Sequence, residues 1–158
     1  MAKKTAKKSA ASKGLRVGII GMGFMGRMHL SAYQKLKGVD CVAFADINPD
    51  VRTGKGAEAG NLGDTGFKFD PSKFENVYAS AAELCKDPTL DIIDICVPTP
   101  SHRKAFELAV ASGKHVLSEK PLAVKPAEVT AMLQAAKKAA KGKNVMVAQC
   151  IRFWPAYV

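Results

Sequence analysis

The chain has 158 residues, enough for one domain with a sizeable core, and its 47% hydrophobic and 24% charged content is that of an ordinary globular protein. The net charge of +10 looks like a nucleic-acid footprint, but Lys3, Lys4, Lys7, Lys8 and Lys13 crowd the first fourteen residues and no acid precedes Asp40; without that tail the body carries only +5. No apolar run is long enough for a transmembrane span, no signal-peptide core opens the chain, and the four scattered cysteines (Cys41, Cys85, Cys96, Cys150) lack C-x-x-C spacing. They read as reduced thiols of a cytoplasmic protein rather than a disulfide frame or metal site.

Residues 1–14 have almost no large apolar side chains and read as a disordered, solubilising tail. Leu15–Ile20 reads as a buried strand. Gly21, Gly23 and Gly26 follow with G-x-G-x-x-G spacing, and a helix then runs to about Lys37, with Met25, Met28, Ala32 and Leu36 expected on its core face. In a dinucleotide site the first glycine makes the turn, the second lets the backbone approach a pyrophosphate, and the third packs helix on strand. A second strand, Val39–Ala45, stops at Asp46, twenty residues after Gly26. In a βαβ unit that is where a carboxylate accepts from the adenosine ribose hydroxyls, although capping of the next turn is the alternative. A carboxylate there favours NAD over NADP, but Arg52 and Lys55 follow closely and either can turn toward a 2′-phosphate.

Asn48-Pro49 predicts a cap and a short helix to about Ala59. Residues 60–76 predict a long connection that docks Phe67, Phe69 and Phe74 on the body. Val77–Ala79 is a short strand, and Ser80 with Glu83 forms a capping-box pair for a helix over 81–86. Residues 91–97 give a mostly apolar central strand, and Val97-Pro98-Thr99-Pro100-Ser101-His102 turns into a helix ending before Gly113. His115–Leu117 is a strand that ends at Ser118-Glu119-Lys120-Pro121. A helix from Pro126 buries Val129, Met132, Leu133 and Ala136, and Asn144–Ala148 is the sixth strand. Six strands alternating with helices predict an α/β fold: a doubly wound parallel sheet in order 3-2-1-4-5-6. The polar residues Asp46, Thr99, His102, Glu119, Lys120 and Gln149 then stand at the strands' carboxyl ends. His29 and His115 read as structural, with no metal partner at ligand spacing, and no metal site is expected.

The glycine loop, Asp46, the 97–102 turn, Gly113-Lys114-His115-Val116-Leu117, Glu119-Lys120-Pro121 and Arg152-Phe153-Trp154-Pro155 together make residues 15–158 resemble the Gfo/Idh/MocA family of oxidoreductases. The resemblance implies a Rossmann-type NAD(P)-binding domain over 15–150. Residues 151–158 would begin a crossing to a second domain, which in the family supplies further catalytic residues, most substrate contacts and the oligomer interface. It implies hydride transfer between a nicotinamide and a sugar, cyclitol or related polyol. Lys120 would be the catalytic lysine, hydrogen-bonding substrate and assisting proton transfer; a partly desolvated lysine, or one near other cations, is suited to this. Cofactor contacts are implied for Gly21, Gly23, Phe24, Met25, Gly26, Asp46, Ile47, Val97, Pro98, Thr99, Pro100, Glu119, Lys120, Pro121, Gln149, Arg152 and Trp154. His102 either faces the nicotinamide pocket or only fixes its helix. The Lys120–Pro121 bond is expected to be cis.

The chain stops where that second domain would begin, which favours a fragment, inactive alone, that would form a homo-oligomer when full length. The alternatives are a non-catalytic nucleotide or partner-binding module, and a nucleic-acid-associated protein using its basic tail. Neither a membrane nor nucleic acid is the expected partner.

Overall fold

A computed structural model describes residues 14–55, 69–139 and 141–157. The basic tail over 1–13, Phe67 and the expected end of the second helix near Ala59 lie outside the described residues. Six strands, β1 (Leu15–Ile20), β2 (Val39–Ala45), β3 (Asn76–Tyr78), β4 (Ile92–Ile95), β5 (His115–Ser118) and β6 (Val145–Val147), form one sheet in order β3-β2-β1-β4-β5-β6. Every pairing is parallel, as expected.

One row of pairs crosses the sheet at its carboxyl edge: Tyr78, Ala45, Ile20, Ile95, Ser118 and Val147. The residues that follow β1, β2 and β5 (Gly21, Asp46 and Glu119) therefore emerge along one rim. The chain leaves β1 for β2 on one side and reaches β4 on the other, so a crevice opens at that rim above β1.

Helices α1 (Phe24–Tyr33), α2 (Pro49–Arg52), α3 (Ala81–Cys85), α4 (His102–Ala111) and α5 (Pro126–Ala139) cover the sheet. Strand alternation sorts the core into two layers. Ile20, Ile93 and Ile95 pack with Leu84, Phe106, Val110 and Met132 on one face. Val17, Ile19 and Phe44 pack with Met22, Leu30 and Val51 on the other. Each such fully buried side chain contributes about 1.5–3 kcal/mol. Gly18 has no room for a side chain: a Cβ there would stand 2.6 Å from Leu90 Cδ1 and 3.0 Å from Leu84 Cδ2. Phe69 and Phe74 dock edge-on against Phe44, with centroids 5.4 and 4.8 Å away, as expected of the long connection. The Ser80–Glu83 capping box opens α3.

Several expectations need correction. Helix α1 ends at Tyr33, not near Lys37, and buries Gly26, Arg27 and Leu30. Met25, Met28, Ala32 and Leu36 are exposed. The close approach of Gly26 to β1 sets the rotation of the helix, and the methionine stripe points away. Helix α2 has four residues, stopped where Gly54 takes φ +80°, a left-handed conformation that costs glycine little. On α5, Met132 is buried while Leu133 is half exposed. Strand β4 is shorter than the expected 91–97, spanning Ile92–Ile95, and the Asp94 within it is fully buried, facing α1.

Candidate active site

The loop after β1 is shaped by its glycines. Gly21 has φ +90°, and a Cβ there would press on the Cys96 carbonyl. A Cβ on Gly26 would collide with the Gly21 carbonyl oxygen, so this glycine is what lets α1 lie against β1. Around Gly23 the space is open to at least 4 Å, room that a group brought close to the backbone would use. Gly23 caps α1 without a side-chain hydrogen bond, and no acid stands in the first turn, so the helix start is suited to an anion.

Asp46 fastens this loop to β2. Its Oδ2 accepts from Met22 N at 2.8 Å, and its Oδ1 from Asn48 N at 2.8 Å. Both alternatives raised for this residue are therefore open to it, because an ionised carboxylate offers about four lone-pair sites and these bonds use two. Arg52 lies beside it, its guanidinium donating to the Asp46 and Ile47 carbonyls at 2.7 and 3.0 Å. Arg27 is buried beneath the loop, donating to the Met22 carbonyl at 3.2 Å and lying 4.7 Å from the Phe69 ring centroid. A cleft of about 730 Å³ opens over the β1, β2 and β4 part of this rim; Gly21, Gly23, Phe24, Met25, Asp46, Ile47, Val97 and Pro98 all line it, whereas Gly26, Thr99, Pro100, Glu119, Lys120 and Pro121 are not in its lining. Sequence reasoning missed Ser80, Ser101 and Lys104 on its wall. Lys104 was within reach, standing in the first turn of the helix that follows the central strand.

At the far side of the sheet, Glu119, Lys120 and Pro121 follow β5, and the Lys120–Pro121 bond is cis. Glu119 is buried, whereas Lys120 is exposed. Glu119 Oε2 accepts from Lys120 N at 2.8 Å, and Oε1 lies 3.0 Å from His29 Nε2. Buried His102 spans the Pro121 carbonyl and the Val97 carbonyl, each 2.8 Å from a ring nitrogen. It joins the 97–102 turn to the segment after β5 from underneath and does not line the cleft. Thr99 and Pro100 begin the 3-10 turn Thr99–Ser101 ahead of α4. Gln149, Arg152 and Trp154 lie in and around the exposed turn Cys150–Phe153, away from the cleft lining.

Sequence reasoning also missed a buried polar cluster. His29 Nδ1 is 2.7 Å from Asp94 Oδ2, and Tyr33 donates to the same oxygen at 2.9 Å. Cys96 Sγ lies 3.4 Å from His29 Nδ1. Burial, with Asp94 adding to it, pushes the Tyr33 and Cys96 groups far up, so both stay neutral; Cys41 is pushed up to about 12 in the same way. For His29, burial works against the charged ring, but the bonds to Asp94 and Glu119 outweigh it and its pKa is raised. The sequence offered no partner for His29 at ligand spacing; in the fold, Asp94 and Cys96 come within contact of its ring as a buried hydrogen-bonded cluster. Their sequence distance hid them, although an acid inside an apolar strand, and His29 and Tyr33 one helical turn apart, were signs of a buried polar contact.

Residues 15–149 match the sequence profile of the oxidoreductase family with an NAD-binding Rossmann fold, Gfo/Idh/MocA. The chain is 32% identical over 138 residues to a D-apiose dehydrogenase of Paraburkholderia graminis, covering 87% of this chain and 33% of that protein. It is 34% identical over 152 residues to a levoglucosan dehydrogenase of Pseudarthrobacter phenanthrenivorans, covering 90% and 35%. Among solved structures, an NAD-binding oxidoreductase from Klebsiella pneumoniae superposes with a TM-score of 0.73 at 32% identity, over 91% of this chain and 36% of that one. The chain thus spans about a third of the length of these relatives. With its profile, sheet order and glycine rim in agreement, the chain belongs to the Gfo/Idh/MocA oxidoreductase family.

Proposed function

We propose that this chain binds a nicotinamide dinucleotide, NAD in preference to NADP, as the cofactor domain of a dehydrogenase acting on a sugar, cyclitol or related polyol. The carrying observation is the rim: an open backbone at Gly23, the Asp46 carboxylate and the Lys120 segment stand along one carboxyl edge of the sheet. The loop residues present fit the cofactor, since a Cβ at Gly23 would stand in open space, with nothing within 4 Å, where the backbone can be approached.

On this reading the Gly21–Gly26 backbone and the α1 start hold the pyrophosphate, and Asp46 accepts from the ribose hydroxyls. Thr99 and Pro100 flank the pyrophosphate and ribose side. The bound nicotinamide supplies the hydride acceptor. Lys120 would hydrogen-bond the substrate hydroxyl and assist the transfer of its proton. The dehydrogenase names of the relatives support the substrate class. Residues 15–150 form the cofactor domain, and 151–158 begin the crossing toward a substrate domain. Exposed Phe153, Trp154 and Tyr157 support such a contact. The free thiols support a cytoplasmic setting.

The test is a fluorescence titration with NADH and NADPH. Saturable binding is expected, tighter for NADH. Asp46→Ala should weaken NADH roughly tenfold, about 1.4 kcal/mol, and narrow the preference between the two. Failure of both nucleotides to bind at about millimolar concentration, a Kd worth only about 4 kcal/mol, overturns the reading. Tighter NADPH binding would reassign Arg52, already beside Asp46, to a 2′-phosphate.

A further inference from the structure

One unbroken set of contacts ties α1 to the segment after β5 beneath the rim. It runs from Tyr33 OH to Asp94, from Asp94 to His29 Nδ1, from His29 Nε2 to Glu119 Oε1, and from Glu119 Oε2 to the Lys120 N–H. His29 belongs to α1, whose first turn is the glycine loop, while Glu119 lies beyond β5, with β4 between β5 and β1. We propose that His29, seated on Asp94, is a positioning residue that fixes Glu119 and, through it, Lys120–Pro121 relative to the glycine loop. The proposal rests on the reading of Lys120 as the residue at the reacting end.

The chemistry of the ring supports this role. Each ring nitrogen faces a carboxylate oxygen, and only the doubly protonated imidazole donates from both. Charge-assisted bonds of this kind are the strong ones, and burial limits competition from water. The groups facing the ring are Asp94 and Cys96 from β4, Glu119 from beyond β5 and Tyr33 from α1 itself; Cys41 on β2 lies near Asp94. With the Tyr33, Cys96 and Cys41 groups neutral, the acidic groups that meet the ring among the described residues are Asp94 and Glu119. Asp94 from β4 and Glu119 from the segment after β5 thus grip one ring from two sides, and that ring is carried on the helix that starts at the phosphate end.

The test uses the 158-residue chain, labelled with ¹⁵N in histidine. Both His29 ring nitrogens should show the protonated signature at neutral pH, with a midpoint above the ordinary histidine value. Glu119→Gln should lower that midpoint. A neutral single tautomer at neutral pH, an unmoved midpoint, or one equivalent of tightly bound Zn²⁺ replacing the N–H signals would each overturn the proposal.

His29→Gln gives the functional readout. It should weaken NADH roughly tenfold while leaving ADP-ribose, which lacks the nicotinamide, within about twofold. Equal losses for both ligands would mark a structural role only, and no loss for either would remove the positioning role. If the wild-type chain binds neither ligand, the cofactor reading has failed, and the ring signals still decide whether the clamp exists.

Discussion

The two ends of the rim are built on opposite principles. At the glycine loop, what matters is the absence of side chains: Gly21 and Gly26 clear space for backbone, and Gly23 leaves space open. At Glu119 it is the burial of polar side chains, where His29, Asp94 and His102 hold a short segment by hydrogen bonds from below. A site made of backbone fails by steric intrusion, with no partner left wanting. A site made of buried charge fails by loss of a partner, and what remains unpaired is costly. The two ends should therefore respond differently to mutation.

The largest effect is expected at the buried end. Asp94→Ala strips His29 and Tyr33 of a shared acceptor in a fully buried place, and the loss of stability should be about 3–5 kcal/mol by urea denaturation. A loss below about 1 kcal/mol would show that the cluster relaxes into water, and the contrast between the ends would collapse.

The glycines divide the other end. Gly26→Ala forces α1 away from the Gly21 carbonyl and should cost about 1–3 kcal/mol. Gly23→Ala meets nothing within 4 Å at φ −72°, so stability should hold within about 0.5 kcal/mol or rise slightly, while NADH binding weakens. Intact binding in Gly23→Ala would mean that the open space there is not used. Ser80→Ala removes the capping box of α3 at the cleft wall without touching either the glycines or the buried cluster, and sets the scale of an ordinary local loss at about 1 kcal/mol.

The pH dependence of stability is a subtler discriminator. The pKa of His29 is raised, so its contribution is complete below the unfolded-state value and is lost as pH rises through the folded one. Asp87 behaves in the opposite sense. Burial works against its charged form, but the bonds from Thr89, Tyr78 and Asn76 outweigh this and lower its pKa. Its contribution is present above the ordinary aspartate value of about 3.9 and fades as pH falls through the folded one. His29→Gln should flatten only the alkaline side of the profile, as read by thermal melts across pH.

How legible each end is follows from the same contrast. The loop, the strand before it and Asp46 lie within about thirty residues, and local spacing carries their meaning. The clamp brings Asp94 to Tyr33 and His29 over separations of 61 and 65 residues, and Glu119 to His29 over 90. No local pattern reports contacts of that range. The rotation of α1 was hidden for a related reason. Its methionines sit at helical spacing, but Gly26 decides which face meets the sheet, and the buried positively charged residue is Arg27.

By itself, then, the sequence determined the strand and helix alternation, the glycine rim and the acid after β2, because each is written in hydrophobic period or in residues a few positions apart. Tertiary structure alone decided which face of α1 is buried and that His102 supports Pro121 from beneath the cleft. It also decided that His29 stands between Asp94 and Glu119. Those outcomes depend on which distant groups share a low-dielectric space, and pairing there is set by the sheet order and not by neighbours in the chain.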